Sequence, residues 1–398
     1  MEKWYPNLYR AIIHAIEEVV RRGKATDAVL AVMFKNNPKW GKRDRQFIKN
    51  KTFDIIRRLN LWQRIAMEIF GHDEIEDIVH AYILSQTEQL PAYLSRLQPE
   101  IAAARRLYTE LLKNPPYKFG MPEWIYEAGH ESWNEKWEEI AERLNKENLP
   151  VIRVNTLKIT KDEFAGRLAR KNYRFEPVEN FPEAIILKKP YRLTATRWYR
   201  DGLFEWQDLS SQAVGYFSNV HPGMTVVDAC AGAGGKTLHL AALMKNKGRL
   251  YAFDISRSKL KELIRRARRA GVMNLKEVSL VSAEKIAALH KTADVVLVDA
   301  PCSGSGTYRR KPHLKWKFSP DDFQKILRVQ RHVLDEYARM VKPGGALIYV
   351  TCSVLNDENR KQIDDFLLRN KHFTFVEEKT ILPGTGFDGF YMAKLKRS

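Results

Sequence analysis

Two of the three cysteines in this chain are the residues best suited to covalent chemistry. Cys302 stands in DAPCS (299–303) and Cys352 in VTCS (350–353). Each follows a short apolar, β-branched run, and each is followed by a serine. A cysteine is often just a small buried residue. Two at strand ends in one sheet, on the side where ligands bind, point instead to a thiolate nucleophile, which outperforms a hydroxyl at neutral pH. The reaction that calls for one here is methylation at a carbon that is not itself nucleophilic, such as C5 of cytosine. A thiolate adding to C6 turns C5 into an enamine-like nucleophile; a base then removes the C5 proton, and elimination frees the sulfur. Addition is easier when N3 is protonated or hydrogen-bonded, so an acid should face the Watson–Crick edge. Asp299, three residues before Cys302, is the candidate, provided that it holds or shares a proton. The base would have to leave its stack to enter such a pocket. Nothing in this chemistry says which cysteine attacks.

The second feature is TVVDACAGAGGKT (225–237), a strand, a tight loop and a helix start. Gly232, Gly234 and Gly235 let the backbone turn and approach a ligand closely. A P-loop needs glycine six positions before its lysine, where Cys230 stands relative to Lys236, which argues against a nucleotide triphosphatase. A dinucleotide fingerprint wants a third glycine where Thr237 stands, although Asp254 lies about 20 residues on, as a ribose-binding acid should. S-adenosylmethionine sites share this geometry, and the loop alone leaves both cofactors open.

The elements that must position these groups follow from periodicity. TVVDA, LYAFD, DVVLVDA and ALIYVTCS are nearly all apolar, as strands inside a covered parallel sheet are. KLKELIRRARRAG between two of them has Leu260, Leu263, Ile264 and Ala267 on one helical face. Residues 205–398 therefore read as an open doubly wound α/β domain, with FTFVEE and GFYMAKLK as two antiparallel edge strands. Residues 116–204 mix a Glu/Trp-rich helix, the strand-like PVIRVNTLK and AIILK, and the helix KDEFAGRLARKNY, and so form a small α+β module. Residues 1–115 read as all-helical: Leu8, Ile12, Ala15, Ile16 and Val19 recur at helical spacing, and 43–62 reads as one basic amphipathic helix. NPPYKFGMPEW (114–124) reads as a linker.

The 398 residues carry 67 Lys and Arg against 48 Asp and Glu, a net charge of +19. That excess favours a polyanionic partner, in the first place nucleic acid. The absence of any Cys-x-x-Cys pair argues against a zinc site or a disulfide scaffold, so no metal is expected. MEKWYPNLYR lacks the apolar region of a signal peptide, and no apolar run reaches the roughly 20 residues that cross a bilayer. A cytoplasmic monomer with no membrane partner is the expectation.

In that order, DACAGAGGKT, the acid in AFDIS, DAPCSGSG and YVTCS resemble the Sun-type (RsmB-like) RNA cytosine-C5 methyltransferases. The resemblance runs from about residue 120 to the C-terminus and includes RVNTLK (153–158) and DGLFEWQDLSSQ (201–212). The first 115 residues, chiefly RDRQFIKNKTFDIIRR, are similar to the NusB-like RNA-binding domain of the rRNA-modifying members. The resemblance implies a Rossmann-like class I methyltransferase that uses S-adenosylmethionine, with Cys352 as nucleophile and Cys302 assisting product release. It implies cofactor contacts from Cys230, Ala231, Gly232, Ala233, Gly234, Gly235 and Lys236, with Asp254 on the ribose and Asp299 near both cofactor and base. It points to small-subunit rRNA as substrate, with tRNA as the alternative.

Three departures stand out. The family loop reads Ala-Ala-Pro-Gly-Gly, and here Ala233 replaces the proline, which adds flexibility. Near the adenine, VSAEK (281–285) offers Ala283 or Glu284 in place of an aspartate. RRKPHLKW (309–316) carries His313 where the family has an acid, and we read His313 as a loop residue. A nicotinamide-dependent oxidoreductase on the same sheet would leave both cysteines and the charge unexplained. A non-catalytic RNA-binding protein would have no need of Cys302, Cys352 and Asp299 together.

Overall fold

The computed structural model describes residues 4–398, so Met1, Glu2 and Lys3 of the amino-terminal stretch lie outside the described residues. Its contacts divide the chain into two units, one of residues 1–146 with 308–320, the other of 147–307 with 321–398.

The first unit is helical. α1 (Pro6–Val20) buries Leu8, Ile12, Ala15, Ile16 and Val19, the face that its spacing predicts. α2 (Thr26–Asn36), α3 (Lys42–Arg57) and α4 (Leu59–Phe70) follow, and further helices extend to Trp137–Asn145. The single helix expected over 43–62 is two. Arg58 leaves the helical region (φ −129°, ψ 43°), and the last carbonyls of α3 turn to other donors: Trp316 Nε1 donates to Ile56 O at 2.7 Å, and Lys315 Nζ to Arg57 O at 3.1 Å. Donors from 308–320 thus stand in for the amides that would have continued the helix. The linker expected at 114–124 is packed structure. Phe119 and Met121 are buried, and the carbonyls of Phe119 and Gly120 also accept from Lys315, at 3.3 and 3.0 Å. Asn145 Oδ1 completes the set at 2.7 Å.

The second unit holds two sheets. The smaller, β1 (Val151–Val154), β2 (Phe175–Pro177), β3 (Ala184–Leu187) and β4 (Phe204–Trp206), is antiparallel in the order β2-β3-β1-β4. The larger has β5 (Thr225–Asp228), β6 (Arg249–Asp254), β7 (Leu275–Leu280), β8 (Ala293–Asp299), β9 (Val341–Thr351), β10 (Phe373–Ile381) and β11 (Phe390–Arg397) in the order β10-β11-β9-β8-β5-β6-β7. The five strands from β9 to β7 are parallel; β11 and β10 join antiparallel beyond β9, as the tail pattern predicts. The order reverses between β5 and β8, the switch point at which such sheets bind ligands beyond their carboxyl ends. Among the described residues, no helix is long and apolar enough to cross a membrane.

Candidate active site

The glycine loop leaves β5 at Asp228 and enters the helix Gly235–Leu243. Gly232 (φ +54°) and Gly234 (φ +90°) take the left-handed conformations that make the turn. Asp254, at the end of β6, accepts the Gly232 amide on one oxygen and the Ser256 amide on the other, both at 2.8 Å. The flexibility expected from the missing proline is countered by a brace. Arg266 donates to the Ala233 carbonyl at 2.7 Å and pairs at 2.9 Å with Glu205 of β4, whose other oxygen takes Arg269. A side chain built at Gly232 or Gly235 would meet nothing, so the loop faces open space beside an acid at a strand end. That is a cradle suited to a nucleoside with a polar tail.

The rest of the cofactor set divides. Ala231 and Cys230 line the turn, and burial pushes the Cys230 thiol up, which keeps it neutral. A cavity of about 240 Å³ beside the end of β7 is lined by Ser282, Ala283, Ile286, His332 and Tyr337, among others. Glu284 is exposed, and its carboxyl is held low by a bond from Ser282. Of the two residues offered by VSAEK, Ala283 meets this cavity.

The two cysteines converge. β8 and β9 are parallel neighbours with Asp299 opposite Val350, so the loops after them emerge side by side. Cys302 Sγ lies 3.2 Å from Cys352 Sγ, and all three cysteines are free thiols. The hydrogen bond with Cys352, then burial, then the charges of Cys352 and Glu358 push the Cys302 thiol well up. Lys236 Nζ lies 2.7 Å from Asp299 Oδ2 and 5.3 Å from the Phe390 ring centroid. Burial works against its charge, but Asp299, Cys352 and Asp208 outweigh burial, and its pKa is raised. Lys236 thus belongs to the cysteine cluster as well as to the glycine loop. Beneath it Asp228 is fully buried; Thr237 donates to one oxygen at 2.6 Å, and the other has no protein partner. Burial, opposed by Thr237 and reinforced by Asp299, pushes Asp228 up to about 7.

Behind the cysteines lies a polar layer that reasoning from sequence missed. Glu358 is wholly buried, and its carboxyl accepts from Ser303 N (2.7 Å), Ser303 Oγ (2.5 Å), Gln330 Nε2 (3.0 Å) and Ser353 Oγ. Ser305 Oγ meets Ser353 Oγ at 2.8 Å. Gly306 N donates to Cys352 O at 3.0 Å, and its own carbonyl takes Gly389 N at 2.8 Å. A Cβ at Gly306 would lie 2.0 Å from the Gly389 oxygen, so only glycine fits that seam. The signal was in plain view: both cysteines precede a serine, and both serines bind Glu358. His313 lies in the other unit, with Nδ1 3.3 Å from Thr26 Oγ1, and burial pushes it down to about 4.

A doubly wound sheet with a glycine cradle and an acid after the second strand serves dinucleotide and S-adenosylmethionine enzymes alike, and the matching family model puts this chain among the S-adenosylmethionine-dependent methyltransferases. Within that class it belongs to the RsmB/F family. The model described as 16S rRNA methyltransferase RsmB/F matches residues 216–396, and that of the RsmF/B-like ferredoxin-like domain matches residues 121–194. Ribosomal RNA small subunit methyltransferase B of Salmonella newport is 25% identical over 425 residues, covering 98% of each chain; that of Enterobacter sp. is 26% identical with the same coverage. The crystal structure of PH0851 is 28% identical and covers 100% of both chains with a TM-score of 0.84. A methyltransferase homolog protein from Pyrococcus horikoshii, also 28% identical, covers 72% of this chain and 98% of its own with a TM-score of 0.64. The cofactor left open by the loop alone is therefore S-adenosylmethionine.

Proposed function

We propose that the protein methylates C5 of a cytosine in RNA, with small-subunit ribosomal RNA as substrate, through a covalent Cys352–C6 adduct. The observation that carries this reading is the pair of sulfurs 3.2 Å apart beside the Asp299–Lys236 ion pair. The naming of the curated relatives supports the substrate. The +19 charge and the exposed Lys42, Arg43 and Lys49 of α3 support RNA contact.

The glycine loop and Asp254 would hold S-adenosylmethionine, which when bound supplies a methyl group on a positively charged sulfur. The Cys352 thiolate adds to C6, forming the S–C6 bond, and the C5–C6 π pair shifts onto C5. The donor role expected of Asp299 passes to its ion-pair partner: the Lys236 ammonium donates a hydrogen bond to the ring as it gains charge, and the Asp299 carboxylate accepts from the exocyclic amine. C5 then takes the methyl group. Cys302 acts next. Its high pKa rests first on the hydrogen bond with Cys352, and a Cys352 bonded to carbon no longer carries charge. Cys302 therefore ionises more easily in the adduct, losing its proton to water. Its thiolate takes the C5 proton, the C5–H pair restores the double bond, and the C6–S bond breaks to return the Cys352 thiolate. A reducing cytoplasm would keep both sulfurs available.

The test uses substrate RNA with the full chain. Cys352→Ala should lose 5-methylcytosine formation and keep cofactor binding by calorimetry. Cys302→Ala should accumulate a denaturant-resistant RNA adduct. Methylation by the first variant, or no adduct with the second, overturns the assignment.

A further inference from the structure

We infer that Glu358 is the positioning residue that sets the distance between the two active-site sulfurs. This rests on the reading of Cys352 and Cys302 as a working pair. The two loops carrying them leave different strands and are separated by 50 residues, so the sheet alone does not dictate a 3.2 Å approach. The loops meet directly farther along, through Gly306 N on Cys352 O and Ser305 Oγ on Ser353 Oγ, and the side chain of Glu358 grips the residues next to both sulfurs. Oε1 of Glu358 takes the Ser303 amide and Gln330 Nε2, and Oε2 takes the hydroxyls of Ser303 and Ser353. Ser303 is the residue after Cys302, and Ser353 the residue after Cys352. Four donors on two oxygens saturate an ionised carboxylate. No water reaches it, since Glu358, Ser303 and Ser353 are all buried.

The rest of the layer fixes Glu358 in turn. Gln330 Nε2 also donates to Pro301 O at 2.9 Å, next to Cys302. Tyr349 Oη donates to the Glu358 carbonyl at 2.7 Å. Asn359 accepts from Thr351 Oγ1 at 2.5 Å and donates to Ser353 O at 3.1 Å, so it grips the residues either side of Cys352. A neutral amide at position 358 would turn an NH₂ group towards one of these donors and release one loop.

The test separates spacing from stability and from the methylation reading. Phenylarsine oxide bridges two thiols held close together, forming two As–S bonds and releasing water. The full chain should bind it tightly, and Cys352→Ala should not. Glu358→Gln should weaken capture about tenfold, because the chelate gain depends on the two sulfurs being engaged at once. With RNA, kcat should fall roughly 100-fold while cofactor affinity and KM for RNA stay put, as expected when reacting groups are misplaced. A folded Glu358→Gln protein with wild-type arsenical capture overturns the inference. Should that variant fail to fold, Ser303→Ala and Ser353→Ala, which cut one arm each, decide it: weakened capture in both supports it, and wild-type capture in both overturns it. If the wild-type protein methylates no RNA but the arsenical difference stands, the reaction has been misread and the spacing role survives.

Discussion

Two buried charges of opposite sign show how differently this chain uses the same device. Glu358, in the catalytic unit, is held as an anion by four donors against burial that pushes its pKa up; Lys315, in the helical unit, is held as a cation by four acceptors, Arg57 O, Phe119 O, Gly120 O and Asn145 Oδ1, against burial that pushes its pKa well down. Each is wholly inaccessible, and each is expensive to desolvate. The partners differ in kind. Glu358 binds mostly side chains next to reactive residues, so its geometry bears on chemistry. Lys315 binds mostly main-chain carbonyls at the end of α3 and in the turn 119–120, so its geometry bears on how the helical unit folds. A saturated buried charge therefore does not by itself mark a functional site; what its partners adjoin decides that.

The largest effect is expected at Lys315. Lys315→Met keeps the volume but strands four acceptors, and should cost about 3–5 kcal/mol in thermal or urea unfolding. Arsenical capture at the cysteines should be unchanged in the folded protein; loss of capture would contradict the division of labour just drawn.

A third buried acid lacks such saturation. Asp228 has only one oxygen partnered and is pushed up to about 7, above its unfolded value. Its contribution to stability is therefore complete at acid pH and is lost as pH rises through about 7. Asp228→Asn removes that loss. Relative to wild type, the variant should gain on the order of 2 kcal/mol between pH 5 and pH 7.5 in urea titrations. A parallel pair of pH curves would mean that Asp228 is better satisfied in the fold than its one bond from Thr237 implies.

The smallest effect is expected at Arg266, whose bond to Ala233 O is half of a partly exposed brace. Arg266→Gln should raise the dissociation constant for S-adenosylmethionine several-fold, and Ala233→Pro added to it should recover most of that by fixing φ, a gain of about 0.4–1 kcal/mol. Calorimetry on the single and double variants reads both. Failure of the proline to rescue would show that Arg266 acts through charge and not through loop rigidity.

Most of the catalytic unit was legible because its signals are local. Continuous apolar runs gave the parallel strands, the glycine spacing gave the loop, and DAPCS and VTCS gave strand-end cysteines. What was illegible depends on contacts distant in sequence. Glu358 sits in a stretch, NDEN, that reads as a surface turn, and only the fold brings it under Ser303, 55 residues away. The break at Arg58 escaped because the apolar period runs on through it; the donors that end α3 come from residues 315 and 316. Arg266 is one of several arginines on a basic helix, and nothing in its neighbours announces the carbonyl that it holds.

The excursion of residues 308–320 also bears on how this gene can be cut. The chain leaves the catalytic unit two residues after Ser305, contributes Lys315 and Trp316 to the helical bundle, and returns at Asp321. A fragment beginning at Glu147 would keep every strand, both cysteines and the cofactor loop, yet would carry a lysine without its four oxygens and an indole without its carbonyl. The amino-terminal helices are thus not a detachable appendage, and swapping them between relatives means exchanging this thirteen-residue insert with them.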